Sequence, residues 1–152
     1  MKNRVMILIG LLFSLLVSGC VVITGSSSDD DELQERVFDE SSKDEEIDSS
    51  SKYNLSLTGS SNKITVLGNV EEMFITGSYN YVLIKEDTYL ESLIITGLHN
   101  IIVQEDDLQT VIEGIEITGD NNFIEVSLYN ELIDIGSGNQ VMMTNPGLVD
   151  EN

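Results

Sequence analysis

The sequence predicts an all-β fold, a parallel β-solenoid of about five coils that is expected to be right-handed, and three observations carry this prediction. A short motif recurs five times at spacings of 17 to 22 residues. Runs rich in β-branched and aromatic residues flank each copy, which is typical of strands. Two strands and two turns fill about 20 residues, too few for a βαβ unit of roughly 30. Such short units favour a stacked array, because one unit cannot bury its own apolar face.

The repeated motif is Thr-Gly-x-x-Asn, with glycine and asparagine in all five copies and threonine in four. Its asparagines are Asn62, Asn80, Asn100, Asn122 and Asn139, and its glycines are Gly59, Gly77, Gly97, Gly119 and Gly136. We expect each glycine to take a positive φ angle at the corner between two strands, where glycine has no steric penalty.

The alternation of residue types indicates which side chains point inward. Two positions after each asparagine comes a β-branched residue: Ile64, Val82, Ile102, Ile124 and Val141. Residues two apart on a strand share a face, so the asparagines should point inward with them and the motif threonines outward. A buried amide must be hydrogen-bonded, and stacked asparagines can satisfy one another as a ladder. The alternative is a column that binds a ligand or metal, but a structural ladder is favoured.

The fifth coil departs from the pattern, because Asp134 takes an inward isoleucine position. A register slip of one residue would point Ile133 and Ile135 inward instead. Pro146 and Gly147 should then end strand pairing. The predicted solenoid domain is therefore 53–147, followed by a tail at 148–152. Exposed coil edges can pair with a second chain, so another copy of this chain is a candidate partner.

The N-terminus carries the parts of a secretory signal peptide. Lys2 and Arg4 precede an uncharged apolar run at 5–17, and Ser18, Gly19 and Cys20 follow. The segment 17–20 resembles a bacterial lipobox, which implies a lipoprotein signal peptide at 1–19, lipid attachment at Cys20 and a bacterial envelope location. Val21 after the cysteine favours the outer membrane where there is one. The alternative is an uncleaved anchor, because the uncharged stretch 5–25 is long enough to cross a bilayer.

Residues 20–52 are predicted to be the lipidated cysteine followed by a disordered acidic linker. The stretch 25–52 holds eleven Asp or Glu residues and only four large apolar ones. Such a composition cannot bury enough surface to offset the entropy of ordering. A short helix at 31–39 and cation binding at 29–31 are the alternatives to a solvated spacer.

Charge and residue counts exclude several classes of function. Acidic residues number 27 against seven basic ones, which excludes nucleic-acid binding through a basic surface. One cysteine excludes a disulfide framework and a Cys-based metal site, and one histidine excludes a two-histidine metal site. No cofactor is expected. The alternative is a calcium site at acidic turns in neighbouring coils, with Glu86, Asp87, Glu105, Asp106 and Asp107 as candidate ligands. A solvated acidic edge is the favoured interpretation.

Aromatic side chains are a further candidate surface. Tyr79, Tyr81 and His99 should meet at one corner of adjacent coils, and they could contact a glycan or a protein. Phe74 and Phe123 fall at outward positions, where they either extend such a surface or pack beneath a loop.

The repeats between residues 54 and 143 resemble a family of bacterial envelope proteins of unknown function with short right-handed β-helix domains. The resemblance implies a fold and a location but no catalytic residues. We therefore expect a non-catalytic, membrane-anchored structural or binding module, with a protein, a glycan or another copy as its partner. The alternative is a calcium- or carbohydrate-dependent enzyme acting on a polysaccharide. Only Lys63 and Lys85 supply positive charge within the predicted solenoid.

Overall fold

The computed structural model describes residues 22–23, 33–105 and 111–144, with side chains described from residue 33 onward, and these residues form thirteen strands. The strands are β1 (Val22–Ile23), β2 (Gln34–Phe38), β3 (Asp44–Ile47), β4 (Tyr53–Leu57), β5 (Lys63–Val66), β6 (Asn69–Ile75), β7 (Tyr81–Ile84), β8 (Tyr89–Ile95), β9 (Ile101–Gln104), β10 (Val111–Ile117), β11 (Phe123–Val126), β12 (Leu128–Asp134) and β13 (Gln140–Met143). Across these described ranges, no helix is long and apolar enough to span a bilayer.

The strands form two sheets that the chain visits alternately. The first sheet has the order β1-β2-β4-β6-β8-β10-β12, and the second has the order β13-β11-β9-β7-β5-β3. Every pair is parallel except β1 with β2, which is antiparallel. Each coil therefore adds one strand to each sheet. This confirms the predicted all-β parallel solenoid and gives it six coils, from β2–β3 to β12–β13.

The additional coil lies where the sequence predicted a disordered linker, so the prediction for residues 34–47 was wrong. Strand β2 pairs with β4, and β3 pairs with β5. Phe38 and Ile47, two of the few large apolar residues in this stretch, are 7% and 8% exposed. The next coil offers them an apolar surface and offers the backbone a row of hydrogen-bond partners. Composition alone does not reveal such a template, and the solenoid begins by residue 34 instead of 53.

The core lies between the two sheets. The inward columns predicted from the alternation are fully buried in the interior coils: Leu57, Ile75, Ile95 and Ile117 in the first sheet, and Ile64, Val82, Ile102 and Ile124 in the second. The threonines Thr58, Thr76, Thr96 and Thr118 are exposed. Burying each of these aliphatic side chains contributes about 1.5–3 kcal/mol to stability, so stacking of coils is the main source of stability.

The first-sheet strands extend into segments that were predicted to be turns. Strands β6, β8 and β10 are each seven residues long. Their inward residues do not alternate strictly: Val70 and Met73 in β6 are three residues apart and both fully buried. The alternation of inward and outward side chains is therefore interrupted between them. Because of this interruption, the first half of each strand does not show the two-residue period that predicts a strand from sequence.

The last coil keeps the register of the others, so the predicted slip was wrong. Ile117 is paired with Asp134, and Ile133 and Ile135 are 47% and 73% exposed. One oxygen of Asp134 accepts hydrogen bonds from the backbone N–H of Gly136, at 3.0 Å, and from Asn139 Nδ2, at 2.8 Å. Asp134 therefore stabilises the turn of the last coil from a position that an apolar residue holds in the preceding coils.

Candidate functional site

The five motif asparagines form one column that runs through the second to the sixth coil. At Asn100, the amide nitrogen Nδ2 donates to the carbonyl oxygen of Gly77 at 3.0 Å and to Asn122 Oδ1 at 3.2 Å. Its Oδ1 accepts from the backbone N–H and from Nδ2 of Asn80, at 2.9 and 3.1 Å. Each interior asparagine thus joins its own coil to the coils before and after it.

The geometry of this column is that of a structural ladder. Asn62, Asn80, Asn100 and Asn122 are at most 2% exposed. Both N–H groups of the Asn100 amide have acceptors within the chain, and its oxygen accepts twice. A buried amide with this set of bonds is satisfied without a ligand. Asn139, in the last coil, is half-buried and donates to Gly119 and Asp134.

The motif glycines have a different role from the one predicted. None of the five takes a positive φ angle, so that prediction was wrong. Instead they stack with their backbones in close approach. A Cβ atom at Gly97 would overlap the carbonyl oxygen of Gly77 and lie 2.8 Å from Asn100 Nδ2. Glycine is required here because two coils and a ladder amide share one small space.

In each copy of the motif, the residue one position before the asparagine takes a positive φ angle. Ser61, Tyr79, His99 and Asn121 have φ between 56° and 60°, and Gly138 has φ of 72°. Asparagine and glycine tolerate this left-handed conformation better than other residues. Their presence in two of the five copies was a weak signal for the conformation, and the sequence analysis missed it.

A cluster of exposed aromatic and apolar side chains lies at this left-handed corner, and we call Tyr79, Tyr81, Leu98, His99 and Ile101 the corner patch. The Tyr79 and His99 rings stack with centroids 5.0 Å apart and planes 8° from parallel. Tyr81 pairs with Ile101 on the adjoining outward column. Tyr79 is 63% exposed, and Leu98 and Ile101 are each 42% exposed.

The structure brings the predicted aromatic residues of the corner together but separates the two phenylalanines. Phe123 continues the column of Tyr81 and Ile101 in the next coil, and Phe74 lies outward on β6 in the first sheet. Both are half-buried. Phe123 therefore borders the corner patch, whereas Phe74 does not belong to it.

The acidic turns are arranged around an ion pair. Glu105 Oε1 lies 2.6 Å from Lys85 Nζ, and Glu105 Oε2 accepts a 3.4 Å hydrogen bond from the backbone N–H of Glu86. The Lys85 hydrogen bond lowers the pKa of the Glu105 carboxyl, and the same bond raises the pKa of Lys85. Lys85 therefore already pairs with one of the carboxylates predicted as calcium ligands.

The other calcium candidates do not complete a site within the described part of the chain. Glu86 and Asp87 are exposed. Asp106 and Asp107 lie outside the described residues, as does Cys20 with the predicted signal peptide. Across 33–105 and 111–144, no three His, Cys, Asp or Glu residues are grouped closely enough to hold a metal ion.

A polar cluster covers the end of the solenoid formed by the first coil. Arg36 is paired with Leu55 in the register of β2 and β4, and so occupies a core column. Its guanidinium lies 4.9 Å from the centre of the Tyr53 ring and donates a 2.8 Å hydrogen bond to the Asp48 carbonyl. Tyr53 is fully buried and donates to the Leu67 carbonyl at 2.7 Å. Burial raises the pKa of Tyr53 to about 12.

The fold and these sites define a class: a six-coil parallel β-solenoid with an internal asparagine ladder, a polar first coil and an aromatic corner. Beyond the class, comparison with known proteins identifies no relative, since no protein-family model, no curated protein and no solved structure matches the chain.

Proposed function

We propose that this chain is an exported, lipid-anchored envelope protein whose solenoid is a non-catalytic binding module, and that its ligand is an uncharged glycan. The observation that carries the proposal is the corner patch, above all the stacked rings of Tyr79 and His99. An exposed, contiguous group of large apolar side chains on a monomer marks an interaction surface.

The chemistry of the corner patch favours a sugar. The apolar face of a pyranose ring packs on a flat aromatic ring, and Tyr79 offers such a ring at 63% exposure. Serines border the patch, with Ser78 Oγ accepting from the Leu98 N–H at 3.3 Å. The net charge of −20 disfavours an acidic polysaccharide, so the glycan we propose is neutral.

Anchoring through Cys20 is the second part of the proposal, and the lipobox-like segment at 17–20 supports it. Strand β1 pairs with β2, with Val22 opposite Val37. Because Cys20 precedes Val22 by only two residues, a lipid there would join the molecule at its first coil. The tether then leaves the corner patch, in the third and fourth coils, free to meet a ligand.

A thermal melt of the full chain with a panel of neutral envelope polysaccharides tests the binding function. A ligand that binds only the folded state raises its stability by about 2.7 kcal/mol at a hundred times the dissociation constant. We expect the shift to disappear in Tyr79→Ala and to persist in Tyr89→Ala, which changes another exposed tyrosine, 42% exposed, outside the patch. No shift with any neutral glycan, or an equal shift in both variants, would overturn the glycan proposal.

The same melt separates the binding module from the alternative enzyme that depends on calcium or carbohydrate. Millimolar calcium should leave the melting temperature unchanged, because Lys85 already pairs with Glu105. A calcium-dependent shift that disappears in Glu105→Gln would favour the enzyme. For the anchor, incorporation of a labelled fatty acid should occur in the wild type and not in Cys20→Ser.

A further inference from the structure

The two ends of the solenoid are chemically different, although the same columns reach both. One core column consists of Arg36, Leu55, Met73, Leu93, Ile115 and Leu132, and another consists of Glu45, Ile64, Val82, Ile102, Ile124 and Val141. At the first coil both of these columns end in a charged residue, and at the last coil both end in an apolar one. A third column runs the opposite way, from Phe38 to Asp134, but Asp134 is hydrogen-bonded to Gly136 and Asn139 within its own coil. A solenoid needs a polar terminal coil to be soluble as a monomer.

The first coil has the features of such a cap. The Arg36 guanidinium covers the Tyr53 ring and bonds to Asp48. Strand β1 covers part of the open edge of β2. Residues 33–52 carry seven acidic and three basic side chains, so this end also repels its own copy.

The last coil lacks these features. Leu132, at the end of a core column, is 37% exposed, and the outward-facing Ile133 and Met142 beside it are 47% and 49% exposed. Residues 128–144 include only two charged side chains, Glu131 and Asp134. Within the described residues, β12 and β13 each have one neighbouring strand, so each leaves one row of backbone N–H and C=O groups unpaired. An open, weakly charged, apolar strand edge is a template for pairing with another chain.

We propose that the last coil is a homodimer interface and that two copies of this chain meet there tail to tail. A two-fold axis normal to the sheets and passing close to Leu132 and Val141 would lay β12 antiparallel to its copy and β13 antiparallel to its copy. Each strand would gain a ladder of backbone hydrogen bonds, and the Leu132 and Val141 columns would continue into the partner. The contact is self-complementary, as a two-fold interface requires. It goes beyond the proposed glycan binding and does not depend on the corner patch.

The opposite arrangement, head to tail, is disfavoured by the same observations. It would press Arg36 and Glu45 of one copy onto Leu132 and Val141 of the next. Burying a charge against apolar side chains without a partner is costly. It would also have to displace β1 from the edge of β2. The charged first coil and the apolar last coil together therefore favour a closed dimer over an open filament.

Disulfide trapping tests the interface with two positions at opposite ends of one column. In the full chain with Cys20→Ser, which leaves no other cysteine, we compare Val141→Cys with Glu45→Cys under mild oxidation. Val141→Cys should give a covalent dimer and Glu45→Cys should not. A dimer from Glu45→Cys, cross-linking only in a mixture of both variants, or no cross-linking at all would overturn the tail-to-tail proposal.

The molar mass of the particles that the full chain forms in solution tests the dimer independently of cross-linking. Leu132→Glu should weaken the dimer about tenfold or more, because like charges would meet across the axis. Thr96→Glu, an exposed change in an interior coil, should leave the dimer intact. Circular dichroism checks that both variants fold. A chain that dimerises only after deletion of 145–152 would identify its own tail as the cap and overturn the proposal.

Discussion

The amide nitrogen of Asn100 donates a 3.0 Å hydrogen bond to the carbonyl oxygen of Gly77, one coil earlier. The same carbonyl is the atom that a side chain on Gly97 would strike. The asparagine ladder therefore depends on the glycine column. The missing Cβ lets successive coils approach, and that approach brings each asparagine within reach of a backbone carbonyl.

The close approach predicts that Gly97→Ala is strongly destabilising. The added methyl group has to displace backbone and a ladder amide, so we expect a loss of about 3 kcal/mol, as for severe overpacking. The matched control is Gly114→Ala, because a Cβ there meets no atom within 4 Å. Urea unfolding of both variants measures the difference. Equal stability of the two variants would show that the coils can separate at little cost.

Replacing Asn100 by leucine tests the ladder itself. The Asn80 backbone N–H and the Gly77 carbonyl would lose their bonds to Asn100 while remaining buried. Each unsatisfied buried group costs about 1–3 kcal/mol, so we expect a loss of roughly 3 kcal/mol or more. Asn69→Leu, at an exposed strand end, serves as the control and should change stability little. A melting temperature for Asn100→Leu close to the wild type would contradict a structural ladder.

The left-handed corner predicts a substitution that stabilises the fold. Ser61 has φ of 59°, a conformation that costs a non-glycine residue about 1–2 kcal/mol. Ser61→Gly should therefore raise the free energy of unfolding, by up to about 1 kcal/mol after the entropy of glycine is counted. Ser56→Gly, inside β4, should lower it by a similar amount. Chemical denaturation distinguishes the two, and a loss in both variants would mean that the corner carries no strain.

The raised pKa of the buried Tyr53 predicts a loss of stability at high pH. Its pKa rises from 10.0 to about 12 on folding. Above pH 10 the unfolded tyrosine releases its proton while the folded one keeps it, so the contribution of Tyr53 is present below pH 10 and lost as pH rises through 12. Between pH 9 and 12, the free energy of unfolding should fall more steeply with pH in the wild type than in Tyr53→Phe. Identical slopes would show that Tyr53 ionises freely in the folded protein.

The sequence predicted the parallel solenoid from repeat length, strand composition and alternation, because each of these is a local property. It also predicted the inward asparagines, since residues two apart on a strand share a face. It missed the first coil, whose order depends on the template offered by β4 and β5. It assigned the wrong role to the motif glycines, because close approach between coils is invisible within one repeat.

Some features of the candidate site were likewise predicted from the sequence, and others were not. The proximity of Tyr79 and His99 followed from equal positions in successive repeats, and Tyr81 follows Tyr79 by two residues. The pairing of Lys85 with Glu105 did not, although both stood in turns predicted to be adjacent, because the direction of a long side chain depends on its neighbours in space. The polar first coil was likewise hidden, since Arg36 and Glu45 are ordinary surface residues until they are placed over a core.

The repeating unit can be read from residue order alone: which residues face inward, where the asparagines lie and that coils must stack. The number of coils, the need for the glycines and the covered end of the solenoid depend on contacts between coils. Hydrophobic periodicity acts within a strand, whereas template pairing, backbone close approach and end capping exist only between coils. Those contacts distinguish the charged first coil from the apolar last coil.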